Sequence, residues 1–155
     1  MIKATELKDT GKPGFRIREE QGFCLTLGMI KEKFIEENEK SYGLPIKISD
    51  EQVKSGGIFN SSIEDCLIIT NIEHVTDYFK YCITLRKQGR IATVQLNYYG
   101  MSKLTGKMNA AEERKKNGSL SGMLINAIAG PNKEAVQTEY DYYDMVEQIF
   151  AEIMA

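Results

Sequence analysis

Cys66 and His74 are a thiol and an imidazole eight residues apart, at the loop 71–77. A thiol activated by a neighbouring imidazole is the arrangement of a small-molecule thiol enzyme. The competing reading, a buried core thiol beside a surface-loop imidazole, needs no further partner and is the stronger one. His74 is the single histidine, and Cys24, Cys66 and Cys82 are spaced 42 and 16 residues apart with no CxxC. Ligands so dispersed do not make a structural zinc site, and neither a metal nor another cofactor is expected.

Two glycine-bounded segments imitate catalytic loops and fail in detail. The segment 100–108 has five residues between its glycines where a phosphate-binding P-loop has four, and Met108 stands where that loop needs Ser or Thr. In Gly118-Ser119-Leu120-Ser121-Gly122 the central serine of a nucleophile elbow is replaced by Leu120. The carboxylate pairs Glu64 with Asp65 and Asp141 with Asp144 have local explanations, the second as helix capping and a solvent face. No motif names a reaction.

Charge is the stronger signal. Residues 78–118 hold nine Lys and Arg against Glu112 and Glu113, a balance of +7 in a chain of net −2. The flanks compensate, with −4 over residues 1–77 and −5 over residues 119–155. A near-neutral chain with this polarity either presents a basic patch to an anionic partner or folds its acidic ends over its basic middle. Part of the block has a local cause. Asn109 caps a short predicted helix with Glu112 in its first turn and Arg114, Lys115 and Lys116 in its last, an order that suits the helix dipole.

The elements that must position the remaining cations are clearest at residues 78–99, which alternate as a hairpin. With Gln88-Gly89 as a two-residue turn, Leu85 faces Ala92, Ile83 faces Val94, Tyr81 faces Leu96 and Phe79 faces Tyr98. The opposite face carries Tyr78, Lys80, Cys82, Thr84 and Arg86 against Tyr99, Asn97, Gln95, Thr93 and Ile91. A slip of one residue would turn the polar set into the core, so the alternation selects one facing. Tyr78, Lys80, Arg86, Lys87, Arg90, Gln95, Asn97 and Tyr99 are therefore the candidate partner-binding residues, on or beside one polar face.

Three readings of that face compete. Tyr78 beside Tyr99 would form an aromatic anchor for a protein partner or for a second copy of the chain, as a homodimer. Aromatics amid cations on a sheet also stack bases and neutralise phosphates. Nucleic acid is the less favoured of the two, because the pI is near 5.6 where a nucleic-acid domain usually exceeds about 9, and no RNP-like aromatic pattern is present. The plain alternative is a single-sided sheet whose outer face meets water.

Around the hairpin, Cys66-Leu67-Ile68-Ile69-Thr70 reads as a covered strand, and 15–18 and 44–48 as edge strands. Ser49-Asp50-Glu51-Gln52 has the form of a capping box and predicts a turn or two of helix ending at Gly56-Gly57. Apolar spacing at Phe23, Leu27, Ile30 and Phe34 predicts a helix near 24–41 with Gly43 as its stop; further helices are predicted near 119–129 and 139–154, the last capped by Thr138. The class is α+β, an antiparallel meander with strand 78–86 central and helices on one face. At 155 residues with 42% apolar content, the chain is one globular domain over 1–155 with a frayed segment 1–12. No stretch is apolar enough to span a membrane, and three unpaired-looking cysteines predict a cytoplasmic protein with no membrane partner. The expectation for function is a small non-enzymatic interaction domain using the outer face of its sheet, its small-molecule ligand, if any, unspecified.

Overall fold

The computed structural model describes residues 1–57, 59–102 and 133–155. Their elements follow in the order β1 (Ile2–Lys3), a 3-10 turn (Ala4–Glu6), β2 (Leu7–Asp9), β3 (Phe15–Arg18), α1 (Leu27–Glu37), a π-helical turn (Asn38–Tyr42), β4 (Ile46–Ser55), β5 (Ser62–Asn71), β6 (Lys80–Gln88), β7 (Ile91–Tyr99) and α2 (Lys133–Ile153). The described strands form one seven-stranded sheet in the order β1-β4-β5-β6-β7-β2, with β3 also paired to β7. β1 is parallel to β4 and the other pairings are antiparallel. With α1 and α2 packed on one face, the fold is α+β and β6 is central, as the alternation predicts.

The N-terminal residues set the shape of this sheet. β1 lies on one edge and β2 on the other, yet only the 3-10 turn Ala4–Glu6 separates Lys3 from Leu7. Five strand spacings of about 4.8 Å would hold those edge strands roughly 24 Å apart in a flat sheet. Four residue steps span at most about 14 Å. The sheet must therefore curl, and it is a half-barrel whose two edges are strapped together by residues 2–9 and not a plain meander. The expected frayed terminus is thus replaced by an ordered one: Ile2 pairs with Val53 and is 4% exposed.

The convex face carries the main core. Ile30 and Phe34 of α1 and Val136, Tyr140, Tyr143, Val146, Ile149 and Phe150 of α2 are all fully buried against Leu67, Ile69, Phe79, Tyr81, Ile83, Val94 and Tyr98. The Phe34 and Phe150 rings meet at 4.9 Å between centroids. Tyr143 is a hub: its hydroxyl accepts the Phe79 N–H at 2.9 Å and donates to the Glu139 carboxylate at 3.1 Å, while Ser102 also donates to Glu139. A buried carboxylate is tolerable only with such donors.

Several local expectations give way to tertiary pairing. Thr26 caps α1 by accepting the Met29 N–H at 3.1 Å, so Phe23 lies ahead of the helix and is exposed. Gly43, at φ 64°, ends the π-turn as expected, and the buried Asn38 side chain grips the Leu44 backbone through two hydrogen bonds of 2.9 and 3.0 Å. The predicted helix at 49–57 is instead part of β4, which pairs with β5 over ten consecutive residues from Ile46 with Asn71 to Ser55 with Ser62. Thr138 does not cap α2, which is already helical at Lys133; its hydroxyl donates to the Glu134 carbonyl at 2.9 Å. The hairpin turns at Gly89-Arg90 and not at Gln88-Gly89, so Leu85 faces Val94 and Tyr81 faces Tyr98. That is a two-residue slide, which keeps the side chains of β6 and β7 on their predicted faces. The helices predicted near 109–118 and 119–129 lie outside the described residues.

Candidate functional site

The concave face is the polar face of the hairpin, and the strap closes part of it. At its closed end Ile2, Val53, Cys66, Ile68 and Cys82 form a small second core, with Ala4, Leu7 and Tyr99 packed against it. Cys66 and Cys82 are diagonal neighbours on β5 and β6. Hydrogen bonding to Cys66, together with burial, pushes the Cys82 thiol well above its ordinary range, so it stays a protonated core thiol.

Beyond this dry floor the same face opens into a cavity of about 420 Å³ lined by Ala4, Leu7, Asp9, Val53, Ser55, Glu64, Thr84, Arg86, Gln95 and Asn97. Strand periodicity places these side chains together: Glu64 follows the parity of Cys66, Thr84 and Arg86 that of Cys82, and Gln95 and Asn97 that of Tyr99. Thr84 is buried at 3% exposure, and Arg86 closes one side by donating to Glu64 at 3.2 Å. Asp9 enters from β2, which pairs its backbone with Asn97, and the Asn97 amide donates to the Lys8 carbonyl at 3.5 Å. The cup thus joins hydroxyl, amide and ionic groups on three walls to apolar strap residues on the fourth.

The eight candidates from the sequence do not share one location. Arg86, Gln95 and Asn97 line the cup. Lys80 and Tyr99 are register partners on the same face, with the Lys80 ammonium 6.0 Å from the centre of the Tyr99 ring and donating to the Val75 carbonyl at 3.2 Å. Lys87 and Arg90 stand at the hairpin tip. Lys87 ion-pairs with Glu19 at 3.0 Å and donates to the Cys24 sulfur at 2.8 Å, and Arg90 is exposed with no ion pair among the described residues. Tyr78 is on the other face. It precedes β6, is 6% exposed, stacks on His74 at 4.0 Å and packs against Tyr142 at 5.5 Å. No Tyr78–Tyr99 anchor exists, because the strand begins two residues later than the sequence implies.

The same geometry separates Cys66 from His74. Cys66 belongs to the concave cluster, whereas His74 stacks on Tyr78 of the main core and pairs with Asp77 at 3.5 Å. Glu64 and Thr84 were visible as a carboxylate and a face residue, but nothing in their spacing marked a cavity. Asp9, Ala4 and Leu7 carried no signal, since their place depends on the strap.

The basic middle is neutralised in part, and from the N-terminal half. Glu64 pairs with Arg86 and Glu19 with Lys87, while the α2 carboxylate Glu147 pairs with Lys12 at 3.3 Å. Among the described residues no helix is long and apolar enough to cross a membrane. Comparison with protein-family models, with curated proteins and with solved structures finds no match.

Proposed function

We propose that this protein is a binding module for a small polar molecule held in the concave cup. The observation that carries the reading is the cavity of about 420 Å³ on the polar face, a volume within the range of small-molecule sites. Its amide and hydroxyl side chains, Gln95, Asn97, Thr84 and Ser55, both donate and accept, and Asp9, Glu64 and Arg86 add both signs of charge. That lining suits a neutral or zwitterionic hydrogen-bonding compound of about ten to twenty heavy atoms. A flat aromatic docking face has less support, since Tyr78 is in the core.

The test is a thermal-shift screen of small polar metabolites followed by calorimetry on the hits, with the double variant Gln95→Ala, Asn97→Ala in parallel. Two neutral hydrogen bonds at about 1 kcal/mol each predict a loss of affinity of roughly thirtyfold at nearly unchanged stability. Hits that bind the double variant as well as the natural chain would place the ligand elsewhere.

A protein partner or homodimer is the second reading, favoured by two exposed cations, Arg86, whose side chain is 71% exposed, and Arg90 at the hairpin tip. It uses the same face and predicts concentration-dependent association in sedimentation that Arg86→Glu with Arg90→Glu abolishes. Nucleic acid has weaker support, because Arg86 and Lys87 already hold carboxylates.

A further inference from the structure

Lys3 of the edge strand β1 and Lys54 of β4 are register partners on two parallel strands, so two lysine side chains leave the sheet from neighbouring positions on one face. Like charges directly across neighbouring strands are destabilising unless something neutralises them. Neither lysine has an ion pair among the described residues. Of the carboxylates close in the fold, Glu6 turns back to accept the Lys3 backbone N–H at 3.2 Å, and Glu51 pairs with the N-terminal ammonium at 3.5 Å.

These two lysines line a second cavity, about 370 Å³, whose other walls are Ala4, Thr5, Ser55, Gly56 and Gly57. The two glycines differ in what explains them. Gly56 is required by the turn: its φ is +88°, and a Cβ there would lie 1.9 Å from the Asn60 carbonyl oxygen. Gly57 has no such need. Its φ is not in the left-handed region and a Cβ would meet nothing within 4 Å. What its missing side chain does achieve is open access to the backbone at the cavity wall. Two unneutralised ammonium groups, two hydroxyls and an unscreened Gly-Gly backbone are the donor set of an oxyanion site.

We propose that this cavity binds a phosphoryl group. Ala4 and Ser55 line both this cavity and the cup, and Lys3 and Lys54 leave the sheet from the face opposite Val53 and Ser55, so a phosphorylated small molecule that reaches round the sheet edge can lay its polar body in the cup and its phosphate against Lys3 and Lys54. That assignment of the body rests on the cup being the ligand site; the phosphate site itself does not.

The experiment is an amide-resolved NMR titration with inorganic phosphate, against sodium chloride at matched ionic strength. Saturable shifts are expected at Thr5, Ser55, Gly56 and Gly57. In Lys3→Gln with Lys54→Gln the dissociation constant rises about tenfold or more, while Lys33→Gln on the exposed face of α1 changes it little. Both substituted side chains are exposed, and folding is checked from the same spectra; each single variant should give an intermediate loss. The double variant Gln95→Ala, Asn97→Ala should keep its phosphate affinity, which separates failure of this site from failure of the cup. A response no greater than that to chloride, shifts centred away from these four residues, or equal affinity in the two-lysine variant would overturn the proposal.

Discussion

Lys87 donates to Glu19 at 3.0 Å, and Glu19 also accepts the Leu25 N–H at 2.8 Å, so one carboxylate ties the hairpin tip to the segment leading into α1. The sequence marks Lys87 only as a member of a basic cluster; its partner is 68 residues away, and no local pattern reveals it. Hydrogen bonding from Lys87, then from the Leu25 amide, holds the Glu19 carboxyl below the usual carboxylate range. A carboxyl whose folded pKa is depressed contributes stability above its unfolded pKa, and that contribution is lost as pH falls through the folded value. Glu19→Gln should therefore lower the melting temperature at pH 7, and the difference from the natural chain should shrink below about pH 4. A difference that persists unchanged at pH 3 would show that Glu19 acts by packing alone. Tyr78 teaches the same limit from the other side: alternation assigned it to the polar face because nothing in the sequence says that β6 starts at Lys80.

At the scale of elements, the hairpin was the most legible part of the chain and still concealed its register. Facing depends on parity, and a slide of two residues leaves parity intact, so the apolar pattern of Tyr81, Ile83, Leu85, Val94, Leu96 and Tyr98 fits either turn. Backbone geometry chooses. Gly89 has φ 61° and Arg90 does not have a positive φ, which matches a two-residue turn with glycine in its first central position. Gly89→Ala should cost about 1–2 kcal/mol in chemical denaturation, because only glycine adopts that φ without strain. A cost near zero would show that residue 89 does not hold this positive φ. In β4 the local signal failed outright. Ser49 and Gln52 resemble a cap, but ten consecutive pairs with β5 outweigh a single capped turn, and the alternation of Ile46 and Ile48 was the better guide. Likewise the apolar stripe of α2 was readable through Val146, Ile149 and Phe150, whereas its start was not, because Thr138 and Asp141 look like a cap in any context.

For the molecule as a whole, the curvature of the sheet decides what the polar face is for. Flat, it would be a solvated or docking surface; curled, it is a cup with a dry floor and a polar mouth. Gln95, Asn97 and Arg86 were legible as one face, but concavity follows from tying β1 and β2 through three residues, a constraint that periodicity does not report. The charge asymmetry resolves along the same lines: the acidic first half supplies Glu19 and Glu64 to the basic hairpin, and α2 packs on the opposite face. The most direct test of the strapped half-barrel is solution NMR of the ligand-free protein. Interstrand contacts are expected from Ile2 to Val53 and from Leu7 to Tyr99 in the same molecule, with slow amide exchange through residues 2–9. Random-coil shifts and fast exchange over residues 1–9 would mean that the edges are not joined, and the cup would lose its wall.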